Sequence, residues 1–123
     1  MKKLTPAYLF TRFILEMTVL VVSGRWGWLN GDSTTQYVYA LALPVLIAAV
    51  WGTFAVPDDP SRSGKAPVPV PGTVRLILEL AVFGAGVFFL VDMNYPGAGY
   101  VLAAVTLIHY ATGIDRIRWL MGQ

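Results

Sequence analysis

The sequence predicts an all-α integral membrane protein, a bundle of four transmembrane helices built from two parallel helical-hairpin repeats. Three observations lead there. Of 123 residues, 56% are hydrophobic and only 13% charged, with a mean hydropathy of +0.62, whereas about a quarter of a soluble domain is charged. Four apolar stretches approach the roughly 20 residues that a helix needs to cross about 30 Å of hydrocarbon. Finally, the first and third stretches carry the same charged pattern, Arg-x-x-x-Glu.

The first span runs from about Pro6 to Gly24 and the second from about Gln36 to Val56; the third covers about Thr73 to Val91 and the fourth about Ala98 to Gly113. The fourth is short, and an amphipathic end is expected to continue it through Trp119. Each span must be helical, because a backbone amide left unpaired in lipid costs several kcal/mol. Pro44 falls inside the second span, where it removes one backbone hydrogen bond and frees a carbonyl near Ala40. The turn residues of GRWGWLNGDSTT and DMNYPG mark short loops, and PDDPSRSGKAPVPVPG reads as an extended, polyproline-like linker. The single domain thus divides into hairpin 1 (about 6–56), a proline-rich linker (57–72) and hairpin 2 (about 73–120).

Basic residues set the orientation. Lys2, Lys3, Arg62, Lys65, Arg116 and Arg118 lie at the termini and in the linker, whereas the other two loops hold only Arg25. The positive-inside bias therefore places both termini and the linker in the cytoplasm. Trp26, Trp28 and Tyr37 on one side, with Tyr8 and Trp119 on the other, suit interfacial belts. Lys2 and Lys3 resemble the start of a signal peptide, but Arg12 and Glu16 interrupt the apolar run and no small-residue cleavage site follows, so the first span is expected to be retained.

The repeat is RFILEM at Arg12 to Met17 and RLILEL at Arg75 to Leu80. An even number of spans per half makes the repeats parallel, related by an axis along the membrane normal. Arginine and glutamate four residues apart share one helix face, and each costs about 2.5–3.5 kcal/mol at the membrane centre, so this face should turn towards protein or water. Three arrangements follow. Each arginine can satisfy the glutamate of its own helix; the pairs can cross, Arg12 with Glu79 and Arg75 with Glu16; or one glutamate can be a titrating proton or cation site. Desolvation and a nearby arginine pull such a carboxylate in opposite directions.

Composition removes much chemistry. Without cysteine there is no disulfide, iron–sulfur cluster, zinc–thiolate site or covalent haem, and one histidine rules out a multi-histidine centre within one chain. The nine basic residues, giving a net charge of +2, form no stripe able to track phosphates, so nucleic acid is not an expected partner. No serine-nucleophile motif or phosphate-binding glycine loop is present. His109 falls at a depth near the glutamates. A Glu16, Glu79 and His109 constellation could bind metal or relay protons, but the repeated Glu-x-x-His motifs of bundle metal sites are absent, so neither a metal nor a cofactor is expected. The alternative for His109 is an interhelical hydrogen bond.

Arg12-x-x-x-Glu16, Gly24-x-Trp26-Gly27, Trp51-Gly52-x-Phe54-x-x-Pro57, and Arg75-x-x-x-Glu79 followed by Phe83-Gly84 resemble the YrdB-like family of small bacterial four-helix membrane proteins. The resemblance implies the four-span topology and a bacterial inner-membrane location. It gives weight to Arg12, Glu16, Trp51, Gly52, Arg75 and Glu79, and it implies no particular substrate.

Three functional classes remain. The first is a binding or permeation module for a small ion or amphipathic ligand, with a cytoplasm-facing polar pocket formed by Arg12, Glu16, Arg75 and Glu79 beside Trp51 and His109. The second is a structural or accessory subunit whose charge network only holds the hairpins together. The third is an intramembrane enzyme acting on a lipid, disfavoured because no nucleophile accompanies the carboxylates; no catalytic residue is assigned. Expected partners are membrane lipids, with a homo-oligomer or a partner membrane protein as further candidates.

Overall fold

The computed structural model describes residues 4–62 and 64–123, so Lys2 and Lys3 of the expected inner face lie outside the described residues. The chain folds into α1 (Pro6–Asn30), α2 (Thr34–Thr53), α3 (Gly72–Asp92), α4 (Pro96–Thr112) and α5 (Ile114–Met121). A two-residue parallel pair, β1 (Phe54–Ala55) with β2 (Val68–Pro69), is the sole addition among the described residues to an all-α architecture. The helices α1, α2 and α3 are each long and apolar enough to cross a membrane; α4 and α5 meet that test only together, as a pair bent by 71°.

Local chemistry explains the boundaries. Thr5 caps α1 by accepting the Tyr8 amide at 3.1 Å, and Pro6 occupies the first turn, where its missing donor costs nothing. The helix then runs on to Asn30, through the segment after Gly24 that reads as a loop in the sequence. Gly24 and Gly27 are contact positions there. A side chain on Gly24 would meet the Ala40 carbonyl oxygen at 3.2 Å, and one on Gly27 would press on the Tyr39 carbonyl. The Ala40 carbonyl is the one whose helical donor Pro44 removes, so α2 stays helical through the proline while this oxygen lies against α1.

Helix α2 stops at Thr53, short of the Val56 expected from hydropathy. Pro57 disfavours a helical Val56, and Phe54–Ala55 instead pair with Val68–Pro69, extended by the Val70 amide donating to the Ala55 carbonyl at 2.9 Å. The proline-rich linker is therefore stitched back onto the end of α2 and is not a free polyproline spacer. The fourth stretch is also revised. Its amphipathic end forms, but as α5, which turns at Gly113 and passes beneath α3 instead of prolonging α4.

Helix α1 lies against α2, α3 and α4, and α3 against α4 and α5. Leu15, Val19, Phe83, Leu102 and Tyr110 form the core, with Gly86 admitting Val19 and Leu102 between α1, α3 and α4. No residue of α2 is buried. The distribution of polarity is reversed relative to a soluble protein: Val21, Leu41 and Leu107 are about 70% exposed, while Glu79 and Arg116 are 0% exposed. A surface of this kind suits lipid.

Gly72 fixes where α5 can lie, because a side chain there would overlap the Leu120 carbonyl oxygen. Gly72→Ala should therefore destabilise the detergent-solubilised protein by about 1–3 kcal/mol or more, as overpacking does. Gly84→Ala, where the space is open, should leave the melting temperature unchanged or slightly raised.

Candidate functional site

The buried faces of α1 and α3 start alike and then diverge. On α3 the inward line passes through Gly72, Arg75, Glu79, Phe83 and Gly86; on α1 it passes through Arg12, Leu15, Val19, Ser23 and Gly27. Glu79 is thus on the inner line, whereas Leu15 takes the inward place next to Glu16. The Glu16 side chain is left 23% exposed, with a single ionic contact to Arg12 Nε at 3.5 Å.

Glu79 collects charge from the whole fold. Its Oε2 lies 2.7 Å from Arg12 Nη2 and accepts from Arg75 Nε at 2.7 Å and Arg116 Nη2 at 2.8 Å. Its Oε1 accepts from Tyr110 Oη at 2.7 Å and Arg116 Nη1 at 2.9 Å. These four hydrogen bonds saturate the lone pairs of one carboxylate, and Arg12 adds an ionic contact. Arg116 reaches further, donating from Nε and Nη2 to the two oxygens of Asp59 at 3.0 and 2.6 Å. Asp59 in turn accepts from the amide and hydroxyl of Ser61 at 2.9 and 2.8 Å. Arg75 donates through Nη1 to the carbonyls of Trp51 and Phe54, both at 2.6 Å, which holds the end of α2.

Of the crossed pairs, Arg12 with Glu79 is present, while Arg75 turns to Glu79 on its own helix rather than to Glu16. Trp51 serves both cations: the guanidinium carbons of Arg12 and Arg75 stand 5.2 and 4.6 Å from its ring centre, within cation–π range. His109 sits elsewhere. It stacks on Tyr8 with ring centres 4.1 Å apart, and its Nε2 is buried without a hydrogen-bond partner. Among the described residues, no three His, Asp or Glu side chains converge as a metal would need.

Two larger cavities flank α1 among the described residues, and a third, of about 120 Å³, lies between Glu16, Leu20, Ile47 and Trp51. The first, of about 550 Å³, is lined by Arg12, Glu16, Trp51, Ser61, Arg62 and Arg75 together with the apolar Leu9 and Phe13. The second, of about 460 Å³, lies on another side of α1 and includes Tyr8, His109 and Asp115. Glu16 and Trp51 therefore share a cavity from which His109 is separated, and Glu79 lies behind it at the centre of the charge cluster. Two cluster members, Asp59 and Arg116, are not signalled by any span pattern. The closest hints are the amphipathic order of α5, which buries Arg116 and Leu120 one turn apart, and the turn-forming Asp59-Pro60-Ser61.

The fold and the cluster define an all-α protein with several membrane-length apolar helices arranged around a buried arginine–carboxylate centre. The chain belongs to the family described as protein of unknown function (DUF2568), which it matches over residues 10–107. It is similar to the uncharacterized protein YrdB of Bacillus subtilis (strain 168), at 37% identity over 123 residues and 100% of both chains, so the YrdB-like resemblance of the Arg12, Glu16, Arg75 and Glu79 motifs is a family relationship. No solved structure matches. The matched segment includes Asp59 and Glu79 and ends before His109, Tyr110 and Arg116.

Removing one partner of a buried ion pair costs about 3–5 kcal/mol, whereas an exposed pair is worth about 0–1. Glu79→Gln should thus abolish or severely weaken folding in detergent, while Glu16→Gln should shift the unfolding free energy by less than about 1 kcal/mol. Equal effects of the two substitutions would refute the unequal roles of the repeated glutamates.

Asp59 offers a pH readout. Burial alone would push its carboxyl up, but the hydrogen bonds and charge of Arg116, with those of Ser61, hold it below the usual carboxylate range. A depressed folded value gives stabilisation that is present above the unfolded value, about pH 4, and is lost as pH falls through the folded one. Asp59→Asn should therefore melt well below the unsubstituted protein at pH 7, and the gap should close progressively below about pH 4. A gap independent of pH would show that Asp59 does not act through its charge.

Proposed function

We propose that the protein is a four-span module of the bacterial inner membrane, built from two parallel hairpins, that binds or passes a small ion or amphipathic ligand through the cavity beside Trp51. In this reading α1 with α2 forms the first hairpin and α3 with the bent α4–α5 unit forms the second. Both termini and the linker face the cytoplasm. The contacts of Arg12 with Glu79 and of Val19 with Gly86 support α1 and α3 running side by side in one direction. Arg62, Lys65, Arg116 and Arg118 cluster at the linker end, and Trp26, donating to Asp92 at 2.8 Å, marks the opposite end. That asymmetry supports the orientation. Membrane lipids are the immediate partners, and with so little interior, permeation would require a homo-oligomer or a partner membrane protein.

The observation that carries the reading is the division of labour between the two glutamates. Glu79 is saturated and holds the fold; Glu16, Arg12, Arg62 and Arg75 border an open cavity of the size that small-molecule sites occupy, about 300–1,000 Å³. A purely structural network would explain the first and not the second. The structural-subunit reading retains one observation in its favour, the unburied α2, which presents Tyr37, Val38, Leu41 and Val45 outward. A lipid-acting enzyme gains nothing from the geometry, since no nucleophile joins the carboxylates.

Accessibility tests this directly. The chain has no cysteine, and Gly52 lines the cavity with open space at its Cβ position, so Gly52→Cys introduces a single label site at little steric cost. A membrane-impermeant thiol reagent should modify it in inside-out membrane vesicles and not in right-side-out ones. Labelling from the outer side alone would reverse the orientation, and no labelling from either side would remove the water-accessible pocket.

A further inference from the structure

We infer that the cavity beside Trp51 receives an oxyanion, the phosphate-type headgroup of an anionic amphiphile whose chain leaves along Leu9 and Phe13. The inference rests on the pocket reading above and specifies the charge and shape of the ligand. Its basis is the state of Arg12. This side chain is 2% exposed, lines the cavity, and among the described residues leaves Nη1 and Nη2 without a hydrogen-bond acceptor, even though Nη2 makes an ionic contact with Glu79. Buried guanidinium donors are nearly always matched to acceptors. Arg62 repeats the pattern at the cavity mouth: its Nη2 donates to the Gly52 and Lys65 carbonyls at 3.2 and 3.0 Å, while its Nε is buried and has no acceptor among the described residues.

Charge balance points the same way. Arg12, Arg62, Arg75 and Arg116 face Glu16, Asp59 and Glu79 in and around the cluster, so one positive charge remains even with every carboxylate ionised. A cation would add to that excess; an oxyanion would cancel it and accept the free donors, in the planar fork geometry that suits arginine and phosphate. Ser61 lies on the same wall. Glu16 opposes such a ligand at close range, which gives the inference a signature of its own: neutralising Glu16 should improve binding. The apolar half of the ligand follows from Leu9 and Phe13, which line the cavity while remaining 37% and 52% exposed towards the outer surface of α1.

Binding to the full-length protein in neutral detergent, read by native mass spectrometry and by thermal melting, tests this with four probes. These are short-chain phosphatidylglycerol, phosphatidylcholine of equal chain length, inorganic phosphate and dodecyltrimethylammonium. Phosphatidylglycerol should bind at least about tenfold more tightly than phosphatidylcholine, as expected for a charge-assisted hydrogen bond worth more than about 1.4 kcal/mol. Arg62→Gln, whose side chain belongs to the linker and not to the Glu79 cluster, should weaken phosphatidylglycerol about tenfold, while the ligand-free protein still folds, its melting lowered only by loss of the Nη2 contacts with the Gly52 and Lys65 carbonyls. Glu16→Gln should tighten it, and Phe13→Ala should weaken the lipid but not inorganic phosphate. Inorganic phosphate binding as tightly as the lipid, with no effect of Phe13→Ala, would overturn a lipid headgroup as the source of the oxyanion. Preference for the ammonium amphiphile, lost in Glu16→Gln, would overturn the anion while leaving the pocket standing. Failure of all four probes to bind the folded protein would remove both.

Discussion

A carboxylate with no exposure to solvent must be neutralised by groups that the chain can bring to it, and at Glu79 that demand organises the structure. Arg12 answers from α1, Arg75 from α3 itself, Arg116 from α5 and Tyr110 from α4. Arg75 and Arg116 then pass the constraint outward, the first to the carbonyls ending α2 and the second to Asp59 in the linker. All five helices and the Asp59 turn of the linker are thereby referred to one point. In an environment as apolar as the outer faces of α1, α2 and α4 require, displacing any of these groups would strand a charge where neither water nor a neighbour could compensate it. Apolar packing between membrane helices lacks the hydrophobic drive available in water. The charge cluster supplies the specificity that lipid-like contacts among Leu and Val side chains do not.

What could be read from the sequence follows from what is local. Hydropathy over windows of helical length finds α1, α2 and α3, and the shared Arg-x-x-x-Glu pattern finds Arg12, Arg75 and Glu79 as inward residues. The extension of α1 to Asn30 escapes, because Gly24 and Gly27 carry the composition of a turn while serving as close-approach positions for α2. The bend before α5 escapes because Gly113 separates an apolar span from an amphipathic segment, and neither pattern carries the direction in which the chain turns there. Asp59 and Arg116 lie far apart in the chain and meet only once the linker has folded back and α5 has turned. Neither event leaves a periodic trace. For His109 the sequence yields depth alone, and depth says nothing about the side of α1 it faces.

The shared Arg-x-x-x-Glu pattern is instructive because its two occurrences do different work. Identical spacing places Arg12 and Arg75 inward, 2% and 1% exposed, yet the buried line continues through Leu15 on α1 and through Glu79 on α3. One carboxylate suffices to gather three guanidiniums. A second carboxylate on the same line would have supplied further acceptors for them and closed the cluster to anything else. Its displacement leaves Glu16 with one contact at 3.5 Å and leaves the cavity bordered by arginines.

That displacement bears on how binding and folding can coexist in so small a bundle. A ligand site assembled from groups that also hold the fold together would exchange stability for occupancy each time it emptied. Here the two demands fall on different atoms of the same residues. Arg75 uses Nε and Nη1 on Glu79 and the α2 carbonyls; Arg12 makes its ionic contact with Glu79 through Nη2, while Nη1 keeps donor capacity unmatched among the described residues. Trp51 lies against both guanidiniums and keeps them in place whether or not an acceptor is present. Pre-positioned donors lose little conformational freedom on binding, which favours recognition by a few strong contacts. The residues that border the cavity are therefore already held from behind, by Glu79 and by the carbonyls at the end of α2.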